Sequence, residues 1–274
     1  MVRQWAVWRD PAGRFSWLKL AVLLVLLAPG AWLALRYAAG DLGGRPLNQL
    51  IRGTGDWTVR FLLASLAVSP LRVVLEWSRA VMLRRMLGVG AACYAVGHVT
   101  LYIAEQKWRL GFVITEIVLR IYLTIGFVAL VGMIVLAITS TDGWQRRLRQ
   151  RWKKLHRLIF PIAILALLHY FMQSKADVTD AVFAAGVFVW LGLWRLAPRR
   201  WQKRLSLLGG LALVVPLAAA LLEALWYGVA TGVRAGRVLL ANLDPAAMRP
   251  SAWLAICAIV LSAIAALRRR GQSR

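Results

Sequence analysis

Polar and reactive side chains are scarce in this chain. Its 274 residues include two cysteines, three histidines and 11 acidic side chains against 35 lysines and arginines. Cys93 and Cys257 both fall in apolar segments. No C-x-x-C-H run is present, so covalent c-type haem attachment is unsupported, and a structural disulfide has no support either. The chain has no Rossmann-type G-x-G-x-x-G and no long soluble domain, so no recognised motif lets it bind a nicotinamide dinucleotide by itself. Internal repeats and low-complexity segments are also missing.

What is abundant is apolar surface. Hydrophobic residues make up 60% of the chain, 14 residues are tryptophan, and the mean hydropathy is +0.64. A soluble core of this length does not need so much. Several stretches reach the roughly 20 residues that cross a bilayer as a helix. The pattern predicts an all-α integral membrane protein with eight spans, at about 18–36, 57–75, 86–104, 112–138, 155–173, 179–197, 205–227 and 251–267. The first run, with Arg3, Arg9, Arg14 and Lys19 at its start, is long for a signal-peptide core and reads as an uncleaved span.

A formal charge of +24 raises the possibility of nucleic-acid binding, but the placement of the charges excludes it. Lysine and arginine cluster at the ends of apolar runs, as the positive-inside rule demands. With the N-terminus in the cytoplasm, 24 of the 35 basic residues fall inside. They include Arg84 and Arg85, the Arg146–Arg157 cluster and Arg268–Arg270. An eight-helix bundle with both termini in the cytoplasm, its basic loops touching anionic lipid, is therefore expected.

All three histidines sit in apolar, helix-length segments. Ionisable side chains are costly in a bilayer and mark a functional site there by default, and neutral imidazole is a common iron ligand. His98 lies 12 residues into the third span, roughly 18 Å at helical rise. His169 lies 13 residues beyond His156, roughly 20 Å deeper toward the outer face. His98 and His169 should thus share a depth on two helices, as clamping one haem iron requires. The alternative is a packed, hydrogen-bonded helix contact.

His156, at the cytoplasmic mouth, has no histidine partner on the third span. The matching depth holds Arg84 and Arg85, which cannot ligate iron but pair well with carboxylate or phosphate. They suit a haem propionate or a flavin phosphate. His156 itself is open to a second iron, or to a hydrogen bond with a flavin, a quinone or a lipid headgroup. Pro161, between His156 and His169, is expected to kink the helix. Glu223, close to the outer end of the seventh span, is expected to snorkel. Tyr94, Tyr102, Tyr122 and Tyr170 are read as interface or packing residues.

Several ordered blocks carry a resemblance. They are Trp17-Leu18-Lys19, Thr54-Gly55-Asp56-Trp57, Phe61-Leu62-Leu63-Ala64, Ser69-Pro70-Leu71-Arg72 and Arg84-Arg85-Met86-Leu87-Gly88. Then come HVTLY from His98, RIYLTIG from Arg120 to Gly126, Thr139-Ser140-Thr141, and WKKLHRLIFPIAILALLHY from Trp152 to Tyr170. Over about residues 15–197 the chain resembles the MsrQ (YedZ) family, within the ferric-reductase and NADPH-oxidase-like transmembrane group. That resemblance implies a six-helix ferric-reductase-like core at 1–197, with His98 and His169 as axial ligands of a b-type haem. It implies His156 as a further haem-site residue, a second haem being possible, and FMN as another cofactor. No motif assigns the flavin; Arg84, Arg85 and Arg157 are candidates by charge and depth alone.

The implied role is electron transfer in the bacterial inner membrane. Electrons would come from the quinone pool or a cytoplasmic flavin reductase and pass to a periplasmic molybdopterin reductase of the MsrP kind, which repairs methionine sulfoxide. Two rivals stand beside it: a ferric reductase or oxidase-like protein that reduces a small acceptor directly, and a transporter or membrane scaffold with structural histidines. Residues 198–274, with two further spans and a long outer loop, depart from the family pattern as an extension.

Overall fold

The computed structural model describes Trp8 and residues 13–174 and 177–272. Arg3 and Arg9, named in the charge reading above, lie outside them. Among the described residues the chain is helical, with no strand. The helices are α1 (Trp17–Ala38), α2 (Pro46–Val74), α3 (Val81–Glu105), α4 (Leu110–Leu119), α5 (Ile121–Ile138), α6 (Asp142–Leu148), α7 (Gln150–His156), α8 (Ile159–Ser174), α9 (Thr179–Leu196), α10 (Leu205–Ala230), α11 (Ala235–Leu243) and α12 (Pro250–Gln272). Among the described residues, eight helical stretches are long and apolar enough to cross a membrane, in the order the hydropathy pattern predicts.

Three boundaries differ from the sequence reading, each for a local reason. The second span starts at Pro46 rather than near residue 57; proline is favoured in a helix's first turn, where its missing N–H costs nothing. The fourth is not continuous from 112 to 138. It breaks at Arg120, whose φ of −109° and ψ of 105° are extended. Arg120 pairs with Glu116 at 2.5 Å, and the Thr124 hydroxyl donates to the Ile117 carbonyl released by the break. The fifth span is interrupted between His156 and Ile159. Pro161 has no N–H for the Arg157 carbonyl and its ring crowds that oxygen, so the helix restarts instead of bending smoothly.

The chain divides into two compact units: residues up to Ser65 with Met82–His169, and Leu66–Val81 with Tyr170 onward. In the first, Pro29 weakens the backbone ladder of α1, and a side chain fills the gap. The Gly30 N–H donates to the Tyr94 hydroxyl at 2.7 Å, and that hydroxyl donates to the Leu26 carbonyl at 2.8 Å. Tyr94 of α3 is thus inserted between a helical donor and its own acceptor, and so ties α3 to α1. It also packs edge-on against Phe61, in keeping with the packing role read from sequence.

In the second unit, Pro70 leaves the Leu66 carbonyl without its helical donor. The Arg195 guanidinium donates to that oxygen and, at 2.8 Å, to the Leu191 carbonyl of its own helix. Leu208, Leu211, Val215 and Ala219 of α10 are buried with Val178, Val182, Trp194 and Leu254. The opposite face of α10 presents Leu213, Leu217, Leu221, Leu225 and Val229, all exposed. That stripe, repeating every four residues, suits lipid, not water.

Glu223 corrects the snorkelling expectation. It lies on the inner face of α10 and is fully buried. Its carboxylate accepts from Arg249 at 2.5 Å and from the Asn242 amide at 2.7 Å, and the Ser251 hydroxyl donates to the Asn242 amide oxygen at 2.7 Å. In apolar surroundings a carboxylate is far cheaper to pair internally than to leave alone. The connection between α10 and α12 that holds Asn242 is partly helical, as α11, for the same reason: backbone groups near the membrane satisfy one another. Cys93 and Cys257 are both free thiols.

Candidate functional site

Two of the three histidines come together. His98, on α3, and His169, on α8, have ring centres 6.4 Å apart with their planes crossing at 85°. Each ring is held the same way. The Nδ1–H of His98 donates to the Ile51 carbonyl at 2.8 Å, and that of His169 to the Tyr122 carbonyl at 2.7 Å. A carbonyl oxygen can only accept, so each Nδ1 carries the proton. Each Nε2 is left with its lone pair and with no hydrogen-bond partner among the described residues.

This is the arrangement that metal-bound histidines adopt: one ring nitrogen donates to a backbone carbonyl, which fixes the tautomer and the ring orientation. The separation fits as well. An imidazole nitrogen sits about 2 Å from a bound metal ion and about 1 Å ahead of its own ring centre, so two rings in line on one ion place their centres roughly 6 Å apart. The observed 6.4 Å leaves room for one iron between the rings. No group of three or more histidine, cysteine or acidic side chains that could hold a metal occurs among the described residues. A two-ligand site therefore calls for a group that brings its own equatorial ligands, as a haem does.

His156 sits elsewhere and is engaged differently. Its ring stacks on Trp152, with centroids 3.9 Å apart. Its Nδ1 is 3.2 Å from the Trp152 carbonyl and its Nε2 is 3.3 Å from the Ser140 hydroxyl. Trp152 is itself anchored by its indole N–H to the Thr139 carbonyl at 2.8 Å. Both ring nitrogens of His156 thus have polar neighbours, and no second imidazole stacks or packs against this ring among the described residues.

The arginine candidates divide too. Arg85 is paired with Asp142 at 2.6 Å and with the Gln145 side chain at 3.3 Å. Arg84 and Arg157 are exposed, and the Arg84 carbonyl accepts a hydrogen bond from the Ser65 hydroxyl at 3.3 Å. The supports of the histidine pair escape a search for reactive side chains, because Ile51 and Tyr122 act through their backbone carbonyls. The signal that points to them is a glycine four residues beyond each, at Gly55 and Gly126, within the Thr54–Trp57 and Arg120–Gly126 blocks.

Residues 54–167, which include His98 and His156 and end two residues before His169, match the family described as "Ferric reductase like transmembrane component". Curated relatives align over a longer stretch. A protein of Rhodospirillum rubrum is 39% identical over 198 residues, covering 72% of this chain and 93% of the relative. One of Caulobacter vibrioides is 38% identical over 191 residues, 67% of this chain and 86% of the relative. One of Xanthomonas campestris pv. campestris is 40% identical over 193 residues, 68% of this chain and 88% of the relative. All three are named protein-methionine-sulfoxide reductase heme-binding subunit MsrQ. No solved structure matches. Eight apolar helices and a transmembrane family description make this a multi-pass protein of the bacterial inner membrane. With relatives this similar, matched over nearly their full lengths, the chain belongs to the MsrQ family.

Proposed function

We propose that this chain is the membrane electron-transfer subunit of a methionine-sulfoxide reductase system, with a b-type haem ligated by His98 and His169. The observation that carries the reading is the pair of imidazoles 6.4 Å apart, each with Nδ1–H given to a main-chain carbonyl. The names of the relatives support the haem and the reductase system. When bound, the haem supplies one-electron exchange at its iron. The protein supplies two neutral imidazole ligands in fixed orientation and surroundings of low dielectric. With His98 and His169 both bound to it, the iron would have no position left for a small acceptor, which would suit electron transfer.

On this reading electrons cross from the quinone pool or a cytoplasmic flavin reductase to a periplasmic molybdopterin reductase of the MsrP kind. Both termini lie in the cytoplasm. Residues 1–197 form the electron-transfer core and residues 198–274 an added pair of spans. FMN is a second cofactor, its phosphate held by the basic group Arg84, Arg85 and Arg157. Asp142 competes for Arg85, so flavin binding there exchanges one anion for another. His156 is a further haem-site or flavin-site residue, its ring orientation set by Trp152.

The test is a reduced-minus-oxidised visible spectrum of detergent-purified protein from haem-replete cells, beside His98→Ala and His169→Ala. A b-type signal lost in both variants is expected. A colourless wild type, or a signal that survives both substitutions, would remove this reading.

A further inference from the structure

The histidine pair has a shared support that lies on other helices. Ile51 and Tyr122 each sit 47 residues before the histidine they serve, and Gly55 and Gly126 each sit one helical turn beyond those carbonyls. In an α-helix the carbonyl of one residue points toward the residue four places on. A ring that reaches such a carbonyl from a neighbouring helix must pass the side-chain position of that residue.

The clearances agree. A Cβ built at Gly126 would lie 2.6 Å from Nδ1, 2.7 Å from Cε1 and 3.0 Å from Cγ of His169. A Cβ at Gly55 would lie 3.2 Å from both Cε1 and Nδ1 of His98. The first set is too close for any real carbon, and the second is tight. The rings cannot simply step aside, because each is tethered at Nδ1 to the carbonyl beneath it.

We propose that Gly55 and Gly126 are positioning residues for the axial ligands: their missing side chains let each imidazole reach its carbonyl and present Nε2 to iron. Gly126 is the stricter of the two. This rests on the reading that His98 and His169 ligate a b-type haem. Alanine at Gly126 drives the His169 ring off its carbonyl, which weakens the axial bond and changes the basicity of the ligand nitrogen. Alanine at Gly55 does the same to His98 to a smaller degree.

The experiment compares Gly126→Ala, Gly55→Ala and Gly132→Ala with wild type in the full, haem-loaded chain. Haem per protein, low-spin electron paramagnetic resonance and the midpoint potential are the readouts. Gly132 is the internal control. It lies on the same helix as Gly126, and a Cβ there would meet Ile162 Cδ1 of α8 at 2.7 Å, a comparable clash with a side chain that is not a ligand. Overpacking of this kind typically corresponds to a loss of roughly 5- to 150-fold. A fall of that order in haem affinity, or conversion of low-spin to high-spin signal, is expected for Gly126→Ala. A smaller shift in signal or potential is expected for Gly55→Ala, and unchanged haem signals for Gly132→Ala.

Unchanged signals in both Gly126→Ala and Gly55→Ala overturn the proposal. So does a change in Gly132→Ala as large as in Gly126→Ala, since general helix packing would then explain it. If Gly126→Ala does not accumulate, the Gly55→Ala spectrum decides alone. The ligand reading fails separately, by survival of the haem signal in His98→Ala and His169→Ala.

Discussion

Two polar constellations lie within the apolar body of this protein, and they are built on opposite plans. Around Glu223 the partners complete one another. The carboxylate takes one hydrogen bond from Arg249 and one from Asn242, and Asn242 takes one from Ser251. Only Arg249 Nε is left over. Around His98 and His169 the arrangement stops short. Backbone carbonyls occupy one nitrogen of each ring, and the other nitrogens remain open on rings 6.4 Å apart. Buried polar groups are paired as a rule. A network that closes on itself holds helices together, whereas two lone pairs left open in a low dielectric are available to a ligand.

Four experiments bear on that contrast, in falling order of effect. If His98 and His169 both ligate the iron, as proposed, the reduced wild-type haem should not take up carbon monoxide; a spectral shift on exposure to the gas would break the description of the pair as a closed clamp. Glu223→Ala should cost about 3 kcal/mol of stability, since removing one partner leaves the other charge stranded. Arg249 is 27% exposed, which keeps the cost at the lower end. The double variant Glu223→Ala with Arg249→Ala should recover part of the loss, read by thermal unfolding in detergent. Its haem spectrum should match wild type; a changed spectrum would blur the distinction between the two constellations.

His156→Ala should leave the main haem signal in place and cost on the order of 1 kcal/mol through the lost stack on Trp152. Loss of the main signal in this variant would make His156, with its two occupied nitrogens, an equal of the pair. The smallest effect belongs to Asp142. Its hydrogen bond to Arg85 holds its carboxyl below the ordinary carboxylate range. A depressed folded value means that the stability is present at neutral pH and is lost only as pH falls through that value. Both partners are well exposed, so Asp142→Asn should cost about 0.5 kcal/mol or less at pH 7. Melting curves of variant and wild type should converge at strongly acid pH; a gap that widens there would reverse the sign.

Much of this was legible in the chain. Apolar run length alone locates eight spans, because a bilayer demands about 20 residues of helix. Equal depth for His98 and His169 follows from helical rise counted along two of them. The break at Arg120 was less visible: Glu116 and Arg120 were the signal, but their pairing is a fact of local backbone geometry. Glu223 was misjudged from its position near a span end, because one helix read alone does not say which face its neighbours cover. The insertion of Tyr94 between Gly30 and Leu26 was read only as packing, since the contact joins residues 64 and 68 positions apart.

By itself, then, the sequence determined the class of protein, the number of spans and the common depth of His98 and His169, since these depend on local hydropathy and regular helical spacing. Tertiary structure decided which nitrogen of each imidazole is free, which carbonyls hold the rings, how closely the rings approach Gly55 and Gly126, and that Glu223 is paired rather than solvated. The physical reason is the same in each case. Hydrogen bonding and steric clearance act over a few ångströms between residues far apart in the chain, and only the packed helices bring those atoms within reach.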